Sequence, residues 1–115
     1  MSSDGSRGRW TVTTDVRDDP KRNRYEIYEE GRQVGMATYR LGRGSIDFIH
    51  TEVDPDHGGR GLAGILVRAA LDDARSRGLA VLPHCPYVAK FIGEHRDEYI
   101  DLVPEERRAQ FGLGD

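Results

Sequence analysis

Apolar and polar residues alternate with a two-residue period through the first half of the chain, and from residue 61 the apolar ones recur at helical spacing. That change of period predicts strands followed by helices, an α/β (α+β) arrangement. Residues 11–16 fit a first strand, and residues 18–24, charged and holding Pro20 and Asn23, an exposed loop. Strands over 25–29 and 33–40 are joined at Glu30 and Gly31, where glycine permits the positive φ of a tight hairpin. Residues 41–44 turn the chain into a strand over 45–53. A regular pleat there puts Ile46, Phe48, His50 and Glu52 on one face and Ile49, Thr51 and Val53 on the other. Asp54 and Pro55 end it, since proline has no N–H for the ladder.

Leu62, Ile65, Leu66, Ala69 and Ala70 mark the buried stripe of a helix over 61–77, with Arg68/Asp72 and Asp73/Arg77 as i,i+4 pairs and Gly78 as its stop. Residues 79–82 read as a short buried strand, 87–95 as a second helix, and 104–111 as a terminal helix entered at proline.

Length and charge narrow the function classes. A chain of 115 residues has room for one domain, over 10–115, behind a polar stretch over 1–9 expected to be a disordered tail. A net charge of −3 argues against broad binding to nucleic acid. The longest pure aliphatic run, over 79–82, is far short of the ~20 residues of a membrane span, so no membrane is expected. One cysteine excludes an intrachain disulfide framework and suits a reducing, cytoplasmic setting. His57, His84, Cys85 and His95 match no zinc spacing, and no metal is expected.

Between the last long strand and the longest helix lies His57-Gly58-Gly59-Arg60-Gly61-Leu62-Ala63. Glycines let backbone N–H groups approach a ligand closely, and the helix that follows offers unsatisfied donors and a partial positive charge to a phosphate. Taken alone, such a cluster is equally a flexible loop that starts a helix. A P-loop needs Lys-Ser or Lys-Thr after its last glycine, where Leu62 and Ala63 stand. A dinucleotide fingerprint belongs in the first turn of a βαβ unit, and here antiparallel-looking strands come first.

The segment His50-Thr51-Glu52-Val53, the core Gly59-Arg60-Gly61-Leu62-Ala63, the helix end Ala74-Arg75-Ser76-Arg77-Gly78 and the run Pro83-His84-Cys85-Pro86-Tyr87-Val88 together resemble the minimal single-domain branch of the GNAT superfamily of N-acetyltransferases. The resemblance covers about residues 25–103. It implies a mixed, mostly antiparallel sheet flanked by helices and splayed between its fourth and fifth strands, with acetyl-CoA in the cleft. Gly61-x-Ala63 matches the second half of the superfamily's Gln/Arg-x-x-Gly-x-Gly/Ala cofactor motif, while Gly58 stands at the Gln/Arg position. The implied cofactor contacts are Val53, Gly58, Gly59, Arg60, Gly61, Leu62, Ala63, Cys85 and Tyr87, with main-chain amides of 60–63 on the pyrophosphate. An N–H near Glu52 or Val53 would stabilise the oxyanion formed under amine attack.

Amine acetylation needs a neutral nucleophile, hence a base for the ammonium proton. His50 and Glu52 are the candidates, as neighbours on one strand leading into the glycine loop. An unperturbed imidazole titrates near ~6.5, suited to proton transfer at neutral pH. Each has a plain alternative, as a sheet histidine bonded to backbone and a glutamate on a solvated strand end. Cys85, between Pro83 and Pro86 and ahead of a helix, has three open roles: coenzyme contact, acid or nucleophile. It could equally be a buried core cysteine. Tyr87 is a substitute for the tyrosine acid of larger relatives, or an aromatic covering the core edge.

The resulting expectation is an acetyl-CoA-dependent N-acetyltransferase acting by direct transfer to an amine acceptor, a small molecule or a protein amine, and working as a monomer or weak homodimer. The rivals are an acyl-CoA-binding sensor or interaction module with little catalysis, and a small structural protein whose glycines only make turns.

Overall fold

The computed structural model describes residues 13–56 and 61–114. The expected tail over 1–9 and the start of the first expected strand lie outside them, as do His57, Gly58, Gly59 and Arg60. Five strands form one sheet in chain order: β1 (Thr14–Asp19), β2 (Arg24–Glu29), β3 (Arg32–Gly42), β4 (Ser45–Val53) and β5 (Ala80–Pro83). β1 to β4 are antiparallel neighbours, and β5 lies parallel to β4. A parallel pair needs a crossover, which α1 (Leu62–Ser76) supplies. After β5 come α2 (Pro86–Glu94), the short α3 (Arg96–Tyr99) and three 3-10 turns, Ile100–Leu102, Glu105–Arg107 and Ala109–Phe111. No described helix is long and apolar enough to cross a membrane.

The hairpin between β2 and β3 turns at Glu30 and Gly31, with φ of 53° and 81°. Positive φ at both central positions matches the right-handed twist of the flanking strands. Glu30 adopts it although it is not glycine, and its carboxylate accepts the main-chain N–H of Thr13 at 2.9 Å. β1 runs three residues beyond its expected end because it stays paired with β2 as far as Asp19↔Arg24, and the loop shrinks accordingly. β3 likewise extends to Gly42, leaving Arg43 and Gly44 as the turn.

α1 covers the sheet face that carries Tyr25, Ile27, Ala37 and Phe48. Its stripe of Leu62, Leu66, Val67, Ala70, Leu71 and Ala74 is buried there, and it stops before Gly78, at φ 68°. Asp73 pairs with Arg77 at 3.4 Å as expected. Arg68 instead binds Glu98 at 2.8 Å, and Asp72 accepts the Tyr99 hydroxyl at 2.7 Å. The C-terminal helices outcompete that i,i+4 pair. The expected terminal helix over 104–111 is two 3-10 turns, with Gly112 left-handed and the Arg108 carbonyl accepting the Leu113 N–H at 2.7 Å.

Two irregularities shape the open end of the sheet. Between β2 and β3 the register passes from Ile27↔Gly35 to Tyr28↔Gln33, so Val34 is an extra residue, and its carbonyl accepts the Asp54 N–H at 2.7 Å. Between β3 and β4 it passes from Thr38↔His50 to Tyr39↔Phe48, which makes Ile49 the extra residue of a β-bulge.

Candidate active site

The bulge at Ile49 overturns the regular pleat expected for β4. Ile46 and Phe48 are buried under α1, but one inserted residue shifts the phase, and the core-facing side continues through Thr51 and Val53. His50 and Glu52 point to the opposite face, away from Ile46 and Phe48 rather than beside them. Both are more than half exposed, and His50 Nε2 lies 3.7 Å from Glu52 Oε1. The pair expected to handle the proton is therefore together, on the sheet face opposite α1.

The bulge falls where β4 and β5 separate. Their pairing runs from Ser45↔Ala80 to Phe48↔Pro83. The Phe48 carbonyl then accepts the Cys85 N–H at 2.8 Å, after which β4 continues to Val53 while the segment after β5 winds into α2. Pro86 at the first helical position forces this turn, since its missing N–H costs nothing there. The result is a splay whose β4 wall is the segment from Ile49 to Val53. At its apex Cys85 is buried, and its Sγ lies 3.4 Å from Thr51 Oγ1. Thr51 escaped the sequence reading because a regular pleat sends it away from the core.

α1 packs against β4 and begins at Gly61, eight residues beyond the end of that strand. Gly61 occupies the N-cap position with φ 70°, and a Cβ built there meets no atom of the described residues within 4 Å. Among the described residues no side chain caps this helix, and its first turn carries no acid. These features leave first-turn N–H donors and the positive end of the helix dipole to an anion. From Gly61 a groove of about 470 Å³ runs between α1 and α2, lined by Gly64, Ile65, Arg68 and Phe91 among others. Leu62 is buried beneath it and Ala63 is half-buried. Tyr87 stands at the start of α2, partly exposed, with its hydroxyl 3.8 Å from a Cβ built on Gly64, and partial desolvation raises its phenol. Of the expected cofactor contacts, Gly61 lines the groove and the Tyr87 hydroxyl lies near Gly64 of its lining, Val53 and Cys85 are on the two sides of the splay, and Gly58, Gly59 and Arg60 lie outside the described residues.

Gly35 is a second residue that the sequence reading missed. A Cβ at this position would stand 2.8 Å from the Glu52 carbonyl oxygen, so its absence lets β3 approach β4 beside the His50–Glu52 pair. Its signal was present, since glycine inside a strand marks a bulge or a close backbone approach.

A model of the GCN5-related N-acetyltransferase family matches residues 24–102, which include the splay, the pair and the groove. The chain belongs to that family, and by family it is an N-acetyltransferase. It is similar to protein NATD1 of Bos taurus, 34% identical over 83 residues that cover 70% of this chain and 73% of that protein. With NATD1 of Danio rerio it shares 30% identity over 92 residues, covering 76% and 83%. A GCN5-like N-acetyltransferase candidate from Staphylococcus aureus, solved by NMR, superimposes with a TM-score of 0.58 at 27% identity, over 78% of this chain and 87% of that one. The mixed, mostly antiparallel sheet flanked by helices is thus the fold of the family, and acetyl-CoA is the acyl donor the family generally uses.

Proposed function

We propose that the chain transfers the acetyl group of acetyl-CoA directly to a primary amine at the split between β4 and β5. The observation that carries this reading is the pairing that ends at Phe48↔Pro83 with the exposed His50–Glu52 pair on the strand just beyond it, and the start of α1 at Gly61, which no described side chain caps, supports it. The residues fit the coenzyme. Gly61 leaves room for a diphosphate at the N–H groups of α1, and the groove beyond it accepts the rest of the nucleotide arm against Ile65 and Arg68.

Acetyl-CoA supplies a thioester-activated acetyl group. The edge of β4 beyond Phe48, around Glu52 and Val53, binds the acyl oxygen by main-chain N–H. His50 accepts a proton from the incoming ammonium, and Glu52, 3.7 Å away, stabilises the imidazolium that forms. The nitrogen then bonds the acetyl carbon as the carbon–sulfur bond breaks, and its second departing proton ends on sulfur, so that an N-acetyl amine and the coenzyme thiol leave. Cys85, buried and held by Thr51, packs against the coenzyme's thiol end rather than acting as a nucleophile. Tyr87, at the groove, relays that second proton, giving its hydroxyl proton to sulfur and taking the one released by nitrogen in its place.

Calorimetric titration with CoA and acetyl-CoA, followed by CoA release with a panel of amines, tests the proposal. Binding of both with amine-dependent release is expected. Absence of binding at millimolar coenzyme overturns it, and binding without release leaves only a sensor or interaction module.

A further inference from the structure

The splay between β4 and β5 has a closed end, and two side chains meet across it. The last ladder pair is Phe48↔Pro83, and the Phe48 carbonyl accepts the Cys85 N–H at 2.8 Å. Just beyond that bond Cys85 Sγ and Thr51 Oγ1 stand 3.4 Å apart, one from each side of the split. Neither residue has room to retreat. The main chain of Cys85 is held at both of its polar groups, by its N–H on Phe48 and by its carbonyl, which accepts the Ala89 N–H at 3.0 Å. Cys85 is only 3% exposed and belongs to the core cluster with Phe48 and Val88. Thr51 is paired with Ala37 in the ladder between β3 and β4, and its branched Cβ leaves little freedom at χ1. A close-packed interior yields little to added volume, so the contact is a fixed wall.

We propose that Thr51 and Cys85 are the specificity-determining residues for the acyl donor, their contact ending the acyl site at a two-carbon chain. This inference rests on the proposed transfer reaction and names the donor class of that site. With the acyl oxygen held by main-chain N–H near Glu52 and Val53, Thr51 is the next core-facing residue of β4 toward the closed end. An acetyl group ends short of the wall. Each further methylene that grows toward the closed end has to displace Thr51 or Cys85, and one methylene too many in a fitted pocket is discriminated by about 10- to 200-fold. A chain that left through the exposed face of His50 and Glu52 would meet no such wall, and donors of all lengths would serve alike.

The test measures kcat/KM for acetyl-, propionyl- and butyryl-CoA by release of CoA, with the amine of the panel that acetyl-CoA serves best. The wild type is expected to prefer acetyl over propionyl by tenfold or more and to use butyryl-CoA less again. Cys85→Ala, which removes the sulfur, is expected to raise the ratio of propionyl to acetyl use by tenfold or more. Thr51→Ser, which removes a methyl group and keeps the hydroxyl, should raise it by a smaller factor. Thr51→Val keeps the volume without the hydroxyl, and its ratio should match the wild type, which separates a wall from a hydrogen bond. Ratios are read in variants that unfold cooperatively on heating and still bind CoA. Equal or better use of the longer donors by the wild type, a ratio unchanged in both Cys85→Ala and Thr51→Ser, or a Thr51→Val ratio shifted as far as that of Cys85→Ala overturns the inference and leaves the transferase reading standing. Failure of every donor to release CoA with the amine panel overturns both.

Discussion

Thr51 and Cys85 meet at 3.4 Å, Oγ1 to Sγ, at the point where β4 leaves β5. A strand residue and a helix N-cap thereby close the apex of the splay from its two sides. Cys85→Ala removes a buried sulfur and is expected to lower stability by about 1 kcal/mol in urea unfolding, within the common range for single substitutions. Acetyl-CoA affinity should fall while turnover persists within a few-fold. An acetylated Cys85 that forms and decays during turnover, seen by intact mass, would reverse that assignment.

Gly61 has a left-handed backbone and, among the described residues, no neighbour within reach of a Cβ. Gly61→Asn should retain the fold, since asparagine tolerates this conformation. Gly61→Trp should place its ring where the diphosphate is proposed to sit and abolish CoA binding by calorimetry. Equal CoA affinity in the tryptophan variant refutes that role for the start of α1.

For His50, the expected loss in His50→Gln is about 10²-fold or more in kcat, as for removal of a positioned general base. The wild-type profile of kcat/KM against pH should show an acidic limb that this variant lacks. Glu52→Gln should have a smaller effect on kcat. A His50→Gln enzyme with an unchanged pH profile would move the base elsewhere.

Gly35→Ala forces a Cβ to 2.8 Å from the Glu52 carbonyl and close to Ile27 and Val53. Overpacking of this kind costs about 1–3 kcal/mol. Thermal unfolding should register it, and kcat should drop as β4 is pushed from its place beside the His50–Glu52 pair.

Burial, followed by hydrogen bonds to Asp73 and Asp18, raises the Tyr25 and Tyr39 phenols above the ordinary tyrosine range. Burial and a bond to Asp72 push Tyr99 up to about 12. Because the folded values exceed the unfolded value of ~10, these groups contribute stability that is whole below pH 10 and lost as pH rises through the folded values. Phenolate absorbance should therefore appear late and together with alkaline unfolding. Asp72→Asn, which removes the charge beside Tyr99, should let one tyrosine titrate earlier.

The chain's own pattern determined the order of elements, the hairpin at Glu30 and Gly31, the α1 stripe and its stop at Gly78. These follow from neighbours within a few residues, where backbone preference and periodicity act. It also marked the region of the site, since Gly61 before a helix and proline after a short strand act locally. Tertiary structure alone decided the face of His50 and Glu52. The extra residue at Ile49 is defined by which β3 partners it lacks, and Thr51 at Cys85 and Val53, partly buried against the core, sit on the inner face only in that register. The same holds for Gly35, whose necessity arises from a carbonyl seventeen residues away, and for the bond between Arg24 and Glu26. Contacts between strands set these features, and no local period encodes them.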